Sequence, residues 1–148
     1  MSRLIATSLL ALSLAGGVAL PVLPCVPHGR ATVAVSIAYV CGSLVCHQRP
    51  ERSLVSCSRQ WAVCGRCSGL YLGGACGVLL ALAGIGRQGT WRQWRRRVVL
   101  AAVPTGLLWL GEIVGLGDPG TPLRLVIALP AGVMTTLWLS AVSRGDLR

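Results

Sequence analysis

The chain has 148 residues, of which 53% are hydrophobic and only 12% charged, with a mean hydropathy of +0.68. A soluble domain carries about a quarter charged residues, so a water-facing surface is excluded for most of this single domain's length. The net charge of +10 comes entirely from arginine, placed in short polar segments between apolar blocks and not interleaved with aromatics along a basic helix, which excludes a nucleic-acid site and makes the lipid bilayer the expected partner.

Residues 4–23 form an apolar block behind Arg3, long enough to span a bilayer. A charged start and a leucine-rich centre also fit a cleavable signal peptide; an uncleaved span is favoured. A lipoprotein site at Cys25 is disfavoured, because Pro24 stands where a small residue is needed. Pro21, Pro24 and Pro27 end the block, each removing a backbone donor. Residues 1–30 are thus an N-terminal transmembrane or signal-like segment, and 31–148 a membrane domain containing a Cys/His motif (46–77) and three clear spans.

Residues 31–45 are apolar but marginal for a straight crossing, which leaves a short span, a re-entrant piece or a buried helix. Polar residues resume at Cys46 and run to Arg66. Residues 67–85 are a clear span, followed by the most basic segment, 86–97, with Arg87, Arg92, Arg95, Arg96 and Arg97. Residues 98–117 and 123–142 are the last two spans, joined by a turn at Asp118, Pro119 and Gly120. Placing 86–97 in the cytosol also places Arg144 and Arg148 there and leaves Arg49, Arg52, Arg59 and Arg66 outside, seven arginines against four. The side on which Met1 lies depends on whether 31–45 crosses.

Gly65, Gly69, Gly73 and Gly77 recur every four residues along one helical face, a groove in which a second helix can approach to backbone contact. Packing within the chain is favoured over pairing with a second copy or another membrane protein. A second pattern sets Ala102-Val-Pro104-Thr-Gly106 beside Ala128-Leu-Pro130-Ala-Gly132, suggesting matched proline kinks.

The chemistry concentrates at Cys46-His47 and Cys64-Gly-Arg66-Cys67. Zinc takes four soft or borderline ligands in a tetrahedron, and a Cys-x-x-Cys turn supplies two of them. Side chains of adjacent residues diverge, so Cys46 and His47 rarely bind one ion together, and Cys57 is a further candidate ligand. Covalent haem is excluded, since Ser68 and not histidine follows Cys67. The same atoms also suit a membrane thiol–disulfide oxidoreductase, with Cys64 and Cys67 at a helix mouth beside Arg66, where a thiol acidifies. Structural disulfides or free thiols are the third possibility; seven cysteines leave at least one unpaired in a monomer. Cys41 and Cys76 lie in apolar runs and read as small hydrophobes. Glu112, a carboxylate within a span, is a candidate for a proton or transport pathway; pairing with Arg124 is preferred. Arg49, Glu51 and Arg52 form a candidate anion or headgroup site, although a solvated local ion pair is favoured there.

The run Cys46-His47-Gln48-Arg49-Pro50-Glu51-Arg52-Ser53, followed by Cys64-Gly65-Arg66-Cys67-Ser68-Gly69-Leu70-Tyr71-Leu72-Gly73, closely resembles the signature of a bacterial family of predicted membrane proteins, the domain-of-unknown-function 2085 family. The resemblance covers about residues 46–132 and leaves out the first span. Pro104 and Arg124 fall where the family has a proline and an arginine, whereas a characteristic Asp-Gly is replaced by Leu108-Trp109, with Glu112 the nearby acid. The resemblance implies a membrane protein, highlights Cys46, His47, Cys64, Arg66 and Cys67, and supplies no reaction.

The expectation is therefore an all-helical, multi-pass protein of the bacterial cytoplasmic membrane, with four or five transmembrane helices and a Cys/His-rich loop. Its cysteine cluster is expected to hold a metal such as zinc in a structural or regulatory role. The alternatives are a thiol–disulfide oxidoreductase and a small transporter or assembly factor. No catalytic set stands out beyond Cys64 and Cys67.

Overall fold

The computed structural model describes residues 3–27, 32–86 and 88–146; the topological roles expected of Arg87 and Arg148 lie outside them. Five α-helices dominate: α1 (Arg3–Val22), α2 (Thr32–Val45), α3 (Gly65–Leu82), α4 (Trp91–Ile113) and α5 (Thr121–Arg144). Between α2 and α3 the Cys/His-rich loop contains a two-stranded antiparallel hairpin, β1 (Ser53–Ser56) and β2 (Arg59–Cys64), paired Ser53 to Cys64 and Ser56 to Arg59. No strand was expected there. The alternation that makes one is short, and its turn residues, Cys57 and Ser58, are not glycines although both adopt positive φ (51° and 60°), the backbone of a tight hairpin turn.

The glycine ladder organises the bundle. A Cβ at Gly65 would lie 2.7 Å from the Thr121 carbonyl oxygen, and a Cβ at Gly69, Gly73 or Gly77 would collide with the carbonyls of Leu125, Leu129 or Val133. Each step of four along α3 meets a step of four along α5, so the two helices run parallel with their backbones in contact. Gly132 returns the contact against Leu70 O and Gly74 N. The glycine face is therefore used within the chain. On the other side of α3, Gly16 and Gly17 of α1 receive Tyr71 and Ala75, while Ser13 meets Gly74; α1 is antiparallel to α3 and built into the bundle.

Helices Ala6–Cys25, Gly65–Leu82 and Thr121–Arg144 are long and apolar enough to cross a membrane. Helix α4 begins with Arg92, Arg95, Arg96 and Arg97, so its apolar part is shorter and it is not one of these three; it carries the chain back between the parallel α3 and α5. The basic stretch expected as a loop is thus largely helical from Trp91, started by a capping box in which Thr90 accepts from Gln93 N (3.3 Å) and Gln93 Oε1 accepts from Thr90 N (3.0 Å). Pro104 and Pro130 sit inside continuous helices, and Thr105 Oγ1 bridges them by donating to Ile127 O at 3.0 Å.

Helix α2, with 14 residues, is shorter than the helices long enough to cross. Cys25, just after α1, is disulfide-bonded to Cys57 in the hairpin turn, and Cys46, just after α2, accepts a hydrogen bond from Cys64 N at 3.2 Å. Both ends of the intervening chain therefore lie at the hairpin end of the bundle. Tyr39 Oη donates to Gln60 O, and Gln48 Nε2 donates to Tyr39 O and Ala62 O, each at 2.7 Å, which pins α2 along β2. Its face Val33, Ile37, Val40 and Leu44 is exposed, as lipid contact requires of apolar surface in a bilayer.

Candidate metal centre and arginine pocket

Three elements converge at the hairpin end. The last residue of β2 is Cys64, which is also the N-cap of α3; Cys67 follows in the first turn of α3; Cys46 arrives from the end of α2. The sulfur atoms of Cys46, Cys64 and Cys67 all lie within 4.8 Å of one another, and Cys46 is buried. The arrangement follows from the chain: β2 delivers Cys64 in extended conformation (φ −68°, ψ 163°), and the helical turn that follows brings Cys67 back over it. The Cys67 thiol donates to the Cys64 sulfur. Together with donation from the Cys67 amide, the Cys46 thiol and the Arg66 amide, this outweighs burial and lowers the Cys64 thiol to about 5.

One of the expected ligands is placed elsewhere, and a second stands apart from the three sulfurs within the same cavity. Cys57 forms the disulfide with Cys25, so its sulfur is not a donor; a hairpin turn sends residue 57 to the tip, away from Cys46 and Cys64 at the hairpin's open end. His47 lines the same cavity as the three cysteines but is not among the group whose donor atoms lie within 4.8 Å, consistent with the divergence of neighbouring side chains. Cys41 and Cys76 are free and exposed on helices.

Beside the sulfurs lies a cavity of about 460 Å³, whose wall includes Arg49, Arg52, Arg66, Arg124, His47 and Trp109. Glu112, near the end of α4, joins three of these arginines. Glu112 Oε1 accepts from Arg66 Nη2 at 2.8 Å and from Arg124 Nε at 3.0 Å, and Oε2 stands 3.5 Å from Arg52 Nη1. Arg124 Nη2 is 3.0 Å from Asp118 Oδ1 in the α4–α5 turn. The hydrogen bond from Gly120 N and the Arg124 guanidinium hold the Asp118 carboxyl below its ordinary range. The pairing of Glu112 with Arg124 is as expected from the sequence. The partner of Arg52 is not: it reaches across the fold to Glu112 rather than to Glu51, and Glu51 instead offers its backbone carbonyl to Thr121 Oγ1 at 3.2 Å.

Sequence reasoning missed two groups. Cys25 was weighed only as a lipidation site, although a cysteine just past a span can bond to a loop at the same membrane face. Gln48 and Gln60 were not singled out. Besides the Gln48 bonds to α2 and β2, Gln60 Nε2 donates to Gln48 O at 2.6 Å and to Ser53 Oγ at 3.1 Å; Gln48 itself has positive φ (48°), so this amide pair fixes the unusual backbone that carries Cys46 and His47 into place.

Three helices long and apolar enough to cross a membrane, packed with two more and a short hairpin, define a helical integral membrane protein. Residues 46–138 match the family described as Predicted membrane protein (DUF2085), and the chain belongs to that family. It is similar to an uncharacterized protein of Methanocaldococcus jannaschii, at 26% identity over 68% of this chain and 65% of that protein's length. It is also similar to an uncharacterized protein of Methanothermobacter thermautotrophicus, at 28% identity over 60% of this chain and 78% of that protein. Both relatives are archaeal, so the restriction to bacteria expected from the sequence has no support. No solved structure matches the chain.

Proposed function

We propose that Cys46, Cys64 and Cys67 bind one zinc ion whose role is to fasten the hairpin and α2 onto the helix bundle. The observation that carries this reading is the convergence of three sulfurs, from three separate elements, within 4.8 Å. Zinc binds as thiolates, and the lowered Cys64 thiol needs little help to ionise. The three thiolates and a zinc ion would together carry one negative charge, which Arg66 and the neighbouring guanidiniums favour. His47 or water from the cavity would complete the tetrahedron. The ion would then contribute folding free energy directly.

The test is elemental analysis of protein purified in mild detergent without chelator. About one zinc per chain is expected, falling toward zero in Cys46→Ser, Cys64→Ser and Cys67→Ser, with loss of folded protein. Absence of metal, together with thiols that react only after reduction, would sink the proposal. It would favour the second reading, thiol–disulfide exchange, in which the Cys64 thiolate attacks a partner's disulfide and Cys67 resolves the mixed disulfide. The hydrogen bond between these two sulfurs and the low Cys64 thiol support that reading. Glu112, held by three guanidiniums, supports a scaffolding role for itself rather than the proton or transport pathway of the third reading.

For topology, we infer that the hairpin end faces the oxidising side of the membrane. The Cys25–Cys57 disulfide belongs in such a compartment, and the arginines opening α4 then lie in the cytosol as the positive-inside rule requires. With α4 as a fourth crossing, the N-terminus of α1 is cytosolic as well.

A further inference from the structure

We propose that the cavity beside the cysteines is a binding site for a phosphate-class oxyanion, gripped by Arg49, Arg52, Arg66 and Arg124. Four guanidiniums line this cavity, and two carboxylates, Glu112 and Asp118, answer them. Even a zinc tris-thiolate alongside, with its single negative charge, leaves positive charge in excess.

Arg49 is exposed and the Arg52 side chain 39% exposed, but the other two arginines are turned inward. The Arg124 side chain is 2% exposed and that of Arg66 20%. Arg124 Nη1, Arg66 Nε and Arg52 Nε are buried and have no hydrogen-bond partner among the described residues. An arginine nitrogen can only donate, so whatever satisfies these three groups is an acceptor. An uncompensated guanidinium at a bilayer edge is costly, which makes a neutral acceptor a poor answer and an anion a good one. Guanidinium forks match the planar pairs of oxygens on phosphate and carboxylate, and a tetrahedral oxyanion can take several forks at once from different sides. The backbone adds to this: the N-termini of the parallel α3 and α5 both open at this end, and their positive poles favour an anion. The neighbouring Trp109 is half exposed on the outer face of α4, giving the site an apolar flank toward lipid.

The chemistry is shared by two sources, a soluble phosphate and the phosphodiester of an anionic lipid headgroup, and the experiment separates them. The full-length protein as purified is followed by thermal unfolding, first in detergent with inorganic phosphate against chloride of equal ionic strength, then in nanodiscs of phosphatidylglycerol against phosphatidylcholine. Stabilisation by phosphate identifies the soluble source, and stabilisation by phosphatidylglycerol alone identifies the lipid. In either case the apparent affinity should fall roughly tenfold or more in Arg49→Gln and Arg52→Gln, whose more accessible positions tolerate substitution, and should be unchanged in Arg96→Gln at the far end of the bundle. Arg66→Lys and Arg124→Lys, which keep the charge but lose the fork, should weaken binding while remaining folded. A folded wild-type protein stabilised by neither probe overturns the proposal, as does stabilisation that survives in Arg49→Gln and Arg52→Gln. Because phosphate binding is read by anion dependence rather than by metal content, its failure leaves the zinc reading standing, and loss of zinc leaves this one standing.

Discussion

Arginine is used in opposite ways at the two ends of the bundle. At the start of α4, Arg92, Arg95, Arg96 and Arg97 point outward and are exposed; one of them, Arg97, lies over the ring of the buried Trp94 at 5.1 Å. At the hairpin end, Arg52, Arg66 and Arg124 turn inward onto a single carboxylate. The first set meets water and headgroups and is free to act as topological charge. The second is progressively withdrawn from solvent, from Arg52 at 39% exposed to Arg124 at 2%, and ties the loop, α3 and α5 to α4. The same residue type thus does two jobs, and only the tertiary partner distinguishes them.

The sharpest break of this contrast is Glu112→Gln. Removing the one carboxylate that three guanidiniums share leaves buried positive charge without an answer, and losing one member of a buried pair costs about 3–5 kcal/mol. Thermal unfolding in detergent should show a large loss, and Arg124→Gln a similar one. A silent Glu112→Gln would mean that water or lipid screens this end as thoroughly as the other.

Next in size is the disulfide. Closing a loop of 32 residues stabilises by about 3–4 kcal/mol in the chain-entropy account. Cys57→Ser should lose roughly that much, and also free the positive-φ turn at Cys57 and Ser58. Reductant should reproduce the loss in wild type but not in Cys57→Ser. If reductant destabilises both equally, the sensitive sulfurs are at the cysteine cluster instead.

Metal-free protein gives a pH-dependent version of the same comparison. The Cys64 thiol is lowered from about 9 to about 5, so its contribution to stability is full above the ordinary value and fades as pH falls through the lowered one. Stability of the reduced apoprotein should therefore rise between about pH 5 and pH 9, and Cys64→Ser should flatten the curve. Alkylation of Cys64 should stay rapid at mildly acidic pH; a rate that already collapses as pH falls below the ordinary thiol range would place Cys64 in an ordinary environment.

What could be read from the sequence divides along the same line. Period and length suffice for helices, so the spans, the α3 glycine face and the Glu112–Arg124 pairing were legible: each depends on residues near in sequence or on an apolar run. The Cys-x-x-Cys turn was legible because a helical turn brings residues 64 and 67 together whatever surrounds them. The hairpin was not, since its pairing is short and its turn lacks glycine. Nor was Cys57, whose partner lies across a helix and a loop, or Arg52, whose acid lies on another helix. The length of 31–45 left a crossing open; the structure adds that the flanking Cys25 and Cys46 are both held at the hairpin end.

The smallest effects should come from the outward-facing end. Thr90→Ala removes a cap that accepts from Gln93 N and should cost about 1 kcal/mol. Arg95→Gln or Arg96→Gln should change stability by no more than about 0.5 kcal/mol, because neither side chain is buried and exposed charges rarely contribute more. Their consequence should appear in membrane orientation instead, since replacing several arginines of this stretch removes the bias that holds it in the cytosol. Labelling of introduced cysteines from each side of the membrane would show it as a mixed topology in molecules whose unfolding temperature has not moved. A loss of stability as large as that of Glu112→Gln would mean that these arginines too are desolvated and paired, and the division between the two ends would disappear.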